Sequence, residues 1–492
     1  MRSARIRCAI VSCTATVALA GCAIGPDYAR PPVTPPDRFR SQAPGTEASS
    51  LADLPWWEAF GDPTLQRLIQ EAIAGNYDLK IAAARVQQAR AQAGIARAAY
   101  FPSIGYTTNA QRSKEFEAFL GIDPTRIDNS GGNNLFLGAL SASWEIDIWG
   151  AVRRSNEAAL AQLTATEEGA RAVLLSLVSE VAQSYFQLIE LDARLDISKK
   201  TTAAYRGIYG IFRDRLEFGV VSQLQTSRAE GSWASAAATI PEVETQIIAK
   251  ENQITTLLGR NPGPIPRGTA LFAQAVVPTV PAGLPSALLE RRPDLLRAEQ
   301  QLRAANAQVG VAKAEFFPKL SLTGMVGKAS PELATITAGG STIWSIAAGL
   351  AGPLFQGGRI FYNYRGTQAV WEQVRLQYEQ AVIRAFQEVA SNLDALDRLA
   401  QAEAEQTRAV EALTRSVQFA TDRYLYGYAS YFEVLEAEER LYSAQNALVS
   451  IRSNRLLAYV QLYKALGGGW NVTDPAAPPP SPPRAACDTR SC

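Results

Sequence analysis

The stretch DLKIAAARVQQARAQAGIARAAYFP, residues 78–102, returns as DLLRAEQQLRAANAQVGVAKAEFFP at residues 294–318, in register and without a gap. A second block keeps the same order: DRLEFGVVSQLQTSRAE from Asp214 is echoed by DRYLYGYASYFEVLEAE from Asp422. Stacked arrays need three or more short units to bury a continuous core. A duplication of this span instead implies two equivalent halves of one body.

Both copies share one layout. Residues 76–101 are rich in Ala, Arg and Gln, with small or apolar side chains at helical spacing and Asn76 as N-cap, which predicts a helix that Pro102 stops. A period of two follows in residues 103–111 and 135–146: Phe136, Leu140, Ala142, Trp144 and Ile146 fall on one side, Ser141, Ser143 and Glu145 on the other. These segments read as strands. In the second copy Leu320, Leu322, Gly324 and Val326 alternate with Ser321 and Thr323, and Trp344, Ile346, Ala348 and Leu350 alternate with Ile343, Ser345 and Ala347.

Gly150 or Gly358 then opens a long helical run. Residues 150–218 contain no proline, and a helix of that length extends about 100 Å. The run turns at Gly219–Ser222 and again at Gly427–Ser430, where Gly suits the C′ position and Ser the next N-cap. The returning segment, residues 222–258, together with the shorter helix before the strands, matches the long helix in length. Pro241 inside it predicts a kink or break.

Four strands per chain, each near the roughly 9–11 residues that cross a bilayer tilted, cannot leave an open edge in hydrocarbon. The sheet must close with copies of itself. An even-numbered barrel of about 8, 12 or 16 strands from two, three or four chains satisfies that requirement.

The front of the chain gives the compartment. Arg2, Arg5 and Arg7 precede an apolar stretch from Cys8 to Ala20 that is too short to span a bilayer, which is the pattern of an export signal. It ends in Leu19-Ala20-Gly21-Cys22, which resembles a bacterial lipobox and makes Cys22 the expected lipid-bearing N-terminus; the alternative is an ordinary small-residue cleavage site. Ala23 follows Cys22, which implies an outer-membrane destination. Of the five cysteines, only Cys487 and Cys492 then remain, in a Pro-rich tail that cannot bury enough apolar surface to fold.

Composition excludes much else. The net charge is +1 over 492 residues, so no electrostatic case exists for nucleic acid. The chain has no histidine, which removes His-based catalysis and His metal sites, and its two methionines, Met1 and Met325, offer no thioether path for soft metals. No phosphate-binding glycine loop is present. The expectation is a protein that is not an enzyme and holds no metal or cofactor beyond the lipid on Cys22.

The segments GPDYARP (from Gly25), WWEAFGDPTLQRLI (from Trp56), SWEIDIWG (from Ser143), ERRPDLLRAEQQLRAANAQVGVAKAEFFPKLSLTG (from Glu290) and ALGGGW (from Ala465) resemble the NodT or OprM type of outer-membrane efflux lipoprotein. The resemblance runs from about Cys22 to Trp470. It implies an α+β membrane protein of the TolC fold: a homotrimer with a 12-strand barrel in the outer membrane, continuous with a 12-helix tunnel. It also implies a periplasmic adaptor and a proton-driven inner-membrane pump of the resistance-nodulation-division class as partners, with this chain as the passive duct for drugs and toxic small molecules. The competing function is an outlet for protein or peptide secretion, as TolC itself serves; outside the class, a lipid-anchored coiled-coil scaffold would leave the strands unexplained. The chain is thus parsed into a signal peptide (1–21), a tether (22–62), a first repeat (63–262, strand hairpin 103–146), a linker (263–285), a second repeat (286–470, strand hairpin 319–351) and a tail (471–492).

Candidate residues follow from this frame. Phe432, Glu433 and Glu436 lie within little more than one turn, and the resemblance assigns them to a periplasmic gate; the alternative is a solvated face with Glu436 paired to Arg440. The resemblance also implies an interlink between hairpins through Tyr424, with Gln225 at the partner position and Ala429 where some relatives carry a basic residue. Tyr100, Phe101, Trp144, Trp149, Phe316, Phe317 and Phe355 fall where helix meets strand, as an aromatic girdle or as packing beneath the barrel.

Overall fold

The computed structural model describes residues 23–39, 61–113, 133–274, 285–337 and 339–468. The signal peptide, Cys22, residues 40–60 of the tether, residues 275–284 of the linker and the tail with Cys487 and Cys492 lie outside the described residues. In chain order the elements are α1 (Pro63–Gly75), α2 (Tyr77–Ala98), β1 (Ser103–Ser113), β2 (Asn133–Ile146), α3 (Ala151–Glu217), α4 (Gln223–Leu257), the single turn α5 (Leu288–Arg291), α6 (Pro293–Ala314), β3 (Lys319–Ser330), β4 (Thr342–Ala351), α7 (Arg359–Leu425) and α8 (Tyr431–Ala465). The duplication is visible in their lengths: α3 and α7 each have 67 residues, α4 and α8 each 35, α2 and α6 each 22. Asn76 caps α2 as its sequence position suggests, its Oδ1 accepting from Leu79 N at 3.0 Å.

The chain divides into two compact units. The first combines residues up to 31 with 86–166 and 298–378. Its centre is one antiparallel sheet in the order β1-β2-β3-β4, so the two hairpins meet at the β2–β3 pair. Beside the sheet, the segment from Ala23 to Arg30 is strapped down. Ile24 N donates to Trp149 O at 3.0 Å, and Asn306 Nδ2 donates to Pro26 O at 2.8 Å. Arg154 reaches Asp27 at 2.7 Å, while Tyr28 and Arg30 both donate to the buried Glu299. Gly25 has φ +123°, and a Cβ there would stand 2.6 Å from Gly310 Cα, so two glycines allow this backbone crossing.

The second unit combines residues 32–85, 167–297 and those from 379 onward. Its core gathers Leu65, Leu68 and Ile69 of α1, Val181, Tyr185 and Leu188 of α3, Ile254 of α4, Val389 of α7, and Leu456, Val460 and Leu462 of α8. A buried carboxylate organises one side of this core. Asp62 caps α1 by accepting from Thr64 N at 2.8 Å, with Pro63 at the first helical position. The same carboxylate accepts from Tyr185 Oη (2.9 Å), Thr269 N (2.9 Å) and Gln274 Nε2 (2.8 Å), and so ties α1, α3 and the loop after α4 together. Burial alone would raise its pKa, but these donors outweigh burial and hold it below the usual carboxylate value. A second polar centre is Arg452, whose guanidinium donates to Glu403 at 2.9 Å and to Gln274 O at 2.6 Å.

Of the kink or break expected at Pro241, the break needs correction. Pro241 does not break α4, which runs unbroken from Gln223 to Leu257. The position is exposed, so the ring meets solvent. The hydroxyl of Thr239 donates to Ala236 O at 2.8 Å, while the carbonyl that the missing proline N–H leaves without its helical donor is that of Ala237.

The Asp62 centre gives the first test. Asp62→Asn keeps the cap oxygen but turns an amide group toward three donors. It should cost about 1–3 kcal/mol, read as a lower thermal unfolding midpoint in detergent. An unchanged midpoint would mean that the network adds nothing to the core. Because the folded pKa is depressed, the Asp62 contribution is present above the unfolded value near 3.9 and disappears as pH falls through the folded one.

Candidate channel faces and hairpin tips

Within the first unit, register sorts the strand residues onto two faces. One row runs Tyr106, Leu140, Val326 and Trp344, the next Ile104, Ala142, Gly324 and Ile346, then Trp144, Leu322 and Ala348, then Ile146, Leu320 and Leu350. Tyr106, Trp344 and Ile346 on this face are 81%, 73% and 82% exposed, as lipid-facing side chains would be. The opposite face carries Ser103, Ser143, Thr323 and Ala347 in one row and Gly105, Ser141, Met325 and Ser345 in the next. Hydroxyls and small residues dominate it. The alternation read from the sequence is thus the partition that the register makes.

The seven junction aromatics do not act alike. Trp149 stacks on Phe317 with ring centroids 4.7 Å apart and donates Nε1 to Pro318 O at 2.7 Å, so this pair is packing at the end of the hairpins. Phe316 meets Tyr364 edge-on at 5.9 Å. Trp144 donates to Tyr100 O at 3.1 Å and keeps a partly exposed ring. Phe101 and Phe355 are exposed.

In the second unit the two helical hairpins meet in a small core of Phe212, Ala229, Tyr431 and Val434. Gly219 and Gly427 take φ +71° and +78°, the left-handed turn that ends each long helix. Ser222 and Gln225 form a reciprocal capping box on α4, whereas Ser430 makes no side-chain cap on α8. Tyr424 and Gln225 are therefore not joined within the chain. Gln225 is held by Ser222, and the Tyr424 hydroxyl accepts from Arg215 Nη1 at 2.9 Å, with Phe212 stacked at 6.0 Å. Arg215 was missed by sequence reasoning, since only the packing of α3 against α7 brings it near; the capping box was legible in Ser222-x-x-Gln225. Phe432 is 63% exposed. Glu433 lies 3.9 Å from Arg423, and Glu436 pairs with Arg440 at 2.6 Å. Such exposed pairs contribute at most about 1 kcal/mol. Around them Phe218, Val220, Tyr426 and Tyr428 are all exposed.

A bilayer-length antiparallel sheet with one apolar face, joined to helices of 67 residues, defines an outer-membrane channel protein with long helical segments. Residues 68–260 and 284–468 match the outer membrane efflux protein family, and the chain belongs to it. It is 33% identical over 466 residues to the cation efflux system protein CusC of Escherichia coli O6:H1, covering 94% of this chain and 99% of that one. It is also 33% identical over 459 residues to the toluene efflux pump outer membrane protein TtgC of Pseudomonas putida, covering 92% and 93%. A solved structure of CusC superposes with a TM-score of 0.81 at 32% identity, over 91% of this chain and 100% of that one. The open state of the Neisseria gonorrhoeae MtrE outer membrane channel gives 0.80 at 30% identity, over 91% and 98%. The protein is an outer-membrane efflux channel.

One tip residue carries a measurable consequence. Glu438 on α8 is half-buried beside Tyr205 and Tyr431, has neither a hydrogen bond nor an ion pair among the described residues, and burial pushes its carboxyl up. The same burial, with Glu438 and Glu439 nearby, pushes the Tyr205 phenol up to about 12. A carboxyl raised in the folded state costs stability at neutral pH, and the cost fades as pH falls toward the unfolded value near 4.3. Glu438→Gln should therefore raise the unfolding midpoint at about pH 7.5, with the gain shrinking toward about pH 4.5. A gain independent of pH would show that the charge is not the cause.

Proposed function

We propose that the chain forms a homotrimeric, passive exit duct that receives drugs and other toxic small molecules from a periplasmic adaptor and an inner-membrane pump of the resistance-nodulation-division class. The observation that carries this reading is the four-stranded sheet whose edge strands β1 and β4 lack an outer partner among the described residues, with an apolar face of bilayer length. Three copies close it into a 12-strand barrel with no edge in lipid. The relatives span cation efflux and toluene efflux by their names. Here the absence of histidine and the single methionine of the described residues, Met325, favour organic cargo over soft metal ions.

Cys22 is the proposed lipid anchor. Ala23 lies against Gly150, where a Cβ would meet its Cα at 2.7 Å, between the end of β2 and the start of α3. That position suits an acyl chain entering the inner leaflet. Phe432, Glu433 and Glu436 are the proposed periplasmic gate, tripled about the axis, with Arg423 and Arg440 as counter-charges at the rim.

Four measurements test the reading. Native mass spectrometry in detergent should find trimers, and mainly monomers or dimers in a folded sample would overturn it. Mass spectrometry of the mature N-terminus should show acylated Cys22; an unmodified terminus elsewhere would remove the anchor. In planar bilayers, Glu433→Ala with Glu436→Ala should weaken block by divalent cations, and Phe432→Ala should raise basal conductance. Parental behaviour from both would place the constriction elsewhere. Co-purification with an ATP-driven transporter alone would favour peptide or protein secretion.

A further inference from the structure

The polar face of the sheet contains one charged feature. Among the described strand residues, its only ionised side chains are Glu145 of β2 and Lys319 of β3, which share the face of Ser143, Ser321 and Thr323 by register. Lys319 Nζ stands 3.2 Å from Glu145 Oε1 and 3.3 Å from Oε2, with both side chains partly exposed. The other strand cation that pairs by register at the loop end, Lys328, falls on the apolar face opposite Gly138 and donates to Thr337 O. Arg112 of β1 shares that face.

We propose that Glu145 and Lys319 set the charge selectivity of the barrel lumen: as a mutually neutralised pair they keep a hydroxyl-lined wall electrically silent, so that cargo of either sign can leave. The proposal rests on the trimeric barrel reading, which turns the polar face into the lumen wall and makes the pair a ring of three. Opposite unit charges about 3 Å apart form a compact dipole whose field falls off within a few ångströms, whereas a lone charge reaches about 30 Å at 0.01 M salt and about 3 Å at 1 M. Removing one partner therefore unmasks a charge of three units around the wall, felt at low salt and screened at high salt.

The first hairpin supplies the acid and the second supplies the base. The pair also spans the β2–β3 contact where the two repeats meet. Its electrostatic role is separable from that structural one, because a charge swap keeps the contact and reverses its direction.

The test is the reversal potential of the intact channel in planar bilayers under a KCl gradient, compared at low and high salt. Lys319→Met should shift it toward the potassium equilibrium potential and Glu145→Gln toward the chloride one, each shift shrinking at 1 M. The double variant and the swap, Glu145→Lys with Lys319→Glu, should match the parent. Conducting single variants with parental reversal potentials at low salt would overturn the proposal, as would a swap that selects like either single variant. Failure of the parent itself to form trimers or to conduct would instead overturn the barrel reading. Should Lys319→Met and Glu145→Gln fail to assemble, Lys319→Glu alone and Glu145→Lys alone should shift the reversal potential in the same two directions, and parental potentials from them would overturn the proposal.

Discussion

A backbone amide in hydrocarbon must find a partner, and among the described residues the outer strands β1 and β4 pair on one side only. The sheet is built to that constraint. The hairpins put apolar side chains on one face and hydroxyls on the other, so the sheet is two-faced by register alone. The helices that follow each hairpin repeat the same lengths, 67 and 35 residues, so the two halves present near-equivalent neighbours. Near-equivalence lets a duplicated chain close a ring with few copies.

The two halves differ at their hairpin tips. At the first tip the Ser222–Gln225 capping box closes α4 on itself. At the second, Ser430 makes no side-chain cap and Glu433 occupies the first turn of α8. A carboxylate near a helix N-terminus is favoured by the exposed amides there, which steadies α8 without fixing the side chain. The Arg215 to Tyr424 bond and the Phe212 and Tyr431 rings then hold the hairpins together just behind the tips. Polar contacts of modest strength sit at the ends, and aromatic packing lies behind them.

Much of this was legible in the sequence because the governing signals are local. Pro102 and Pro318 mark where helix yields to strand, and the alternation through Leu140, Ala142, Trp144 and Ile146 names the lipid face without reference to any partner. The break expected at Pro241 did not occur, because a proline reads as a breaker while an exposed helix position accommodates its ring. Contacts that join distant segments left no such trace. The Tyr424 hydroxyl met Arg215, more than two hundred positions away, and the Asp62 centre draws on Tyr185, Thr269 and Gln274. Asp62-Pro63 announced a helix cap, but nothing local announced the other three donors.

The N-terminal strap bears on the order in which the molecule is completed. Tyr28 and Arg30 lie near the front of the chain, yet their acceptor Glu299 lies about 270 positions later, and the Asn306 amide that holds Pro26 lies 280 positions later. These contacts cannot form on a chain that has synthesised only its first repeat. A lipid attached at the front end would therefore reach the membrane on a loosely held leash, which tightens only after α6 has been made and folded. Long-range contacts of this kind slow the last stage of folding, and here they make the finished strap a mark of a complete chain.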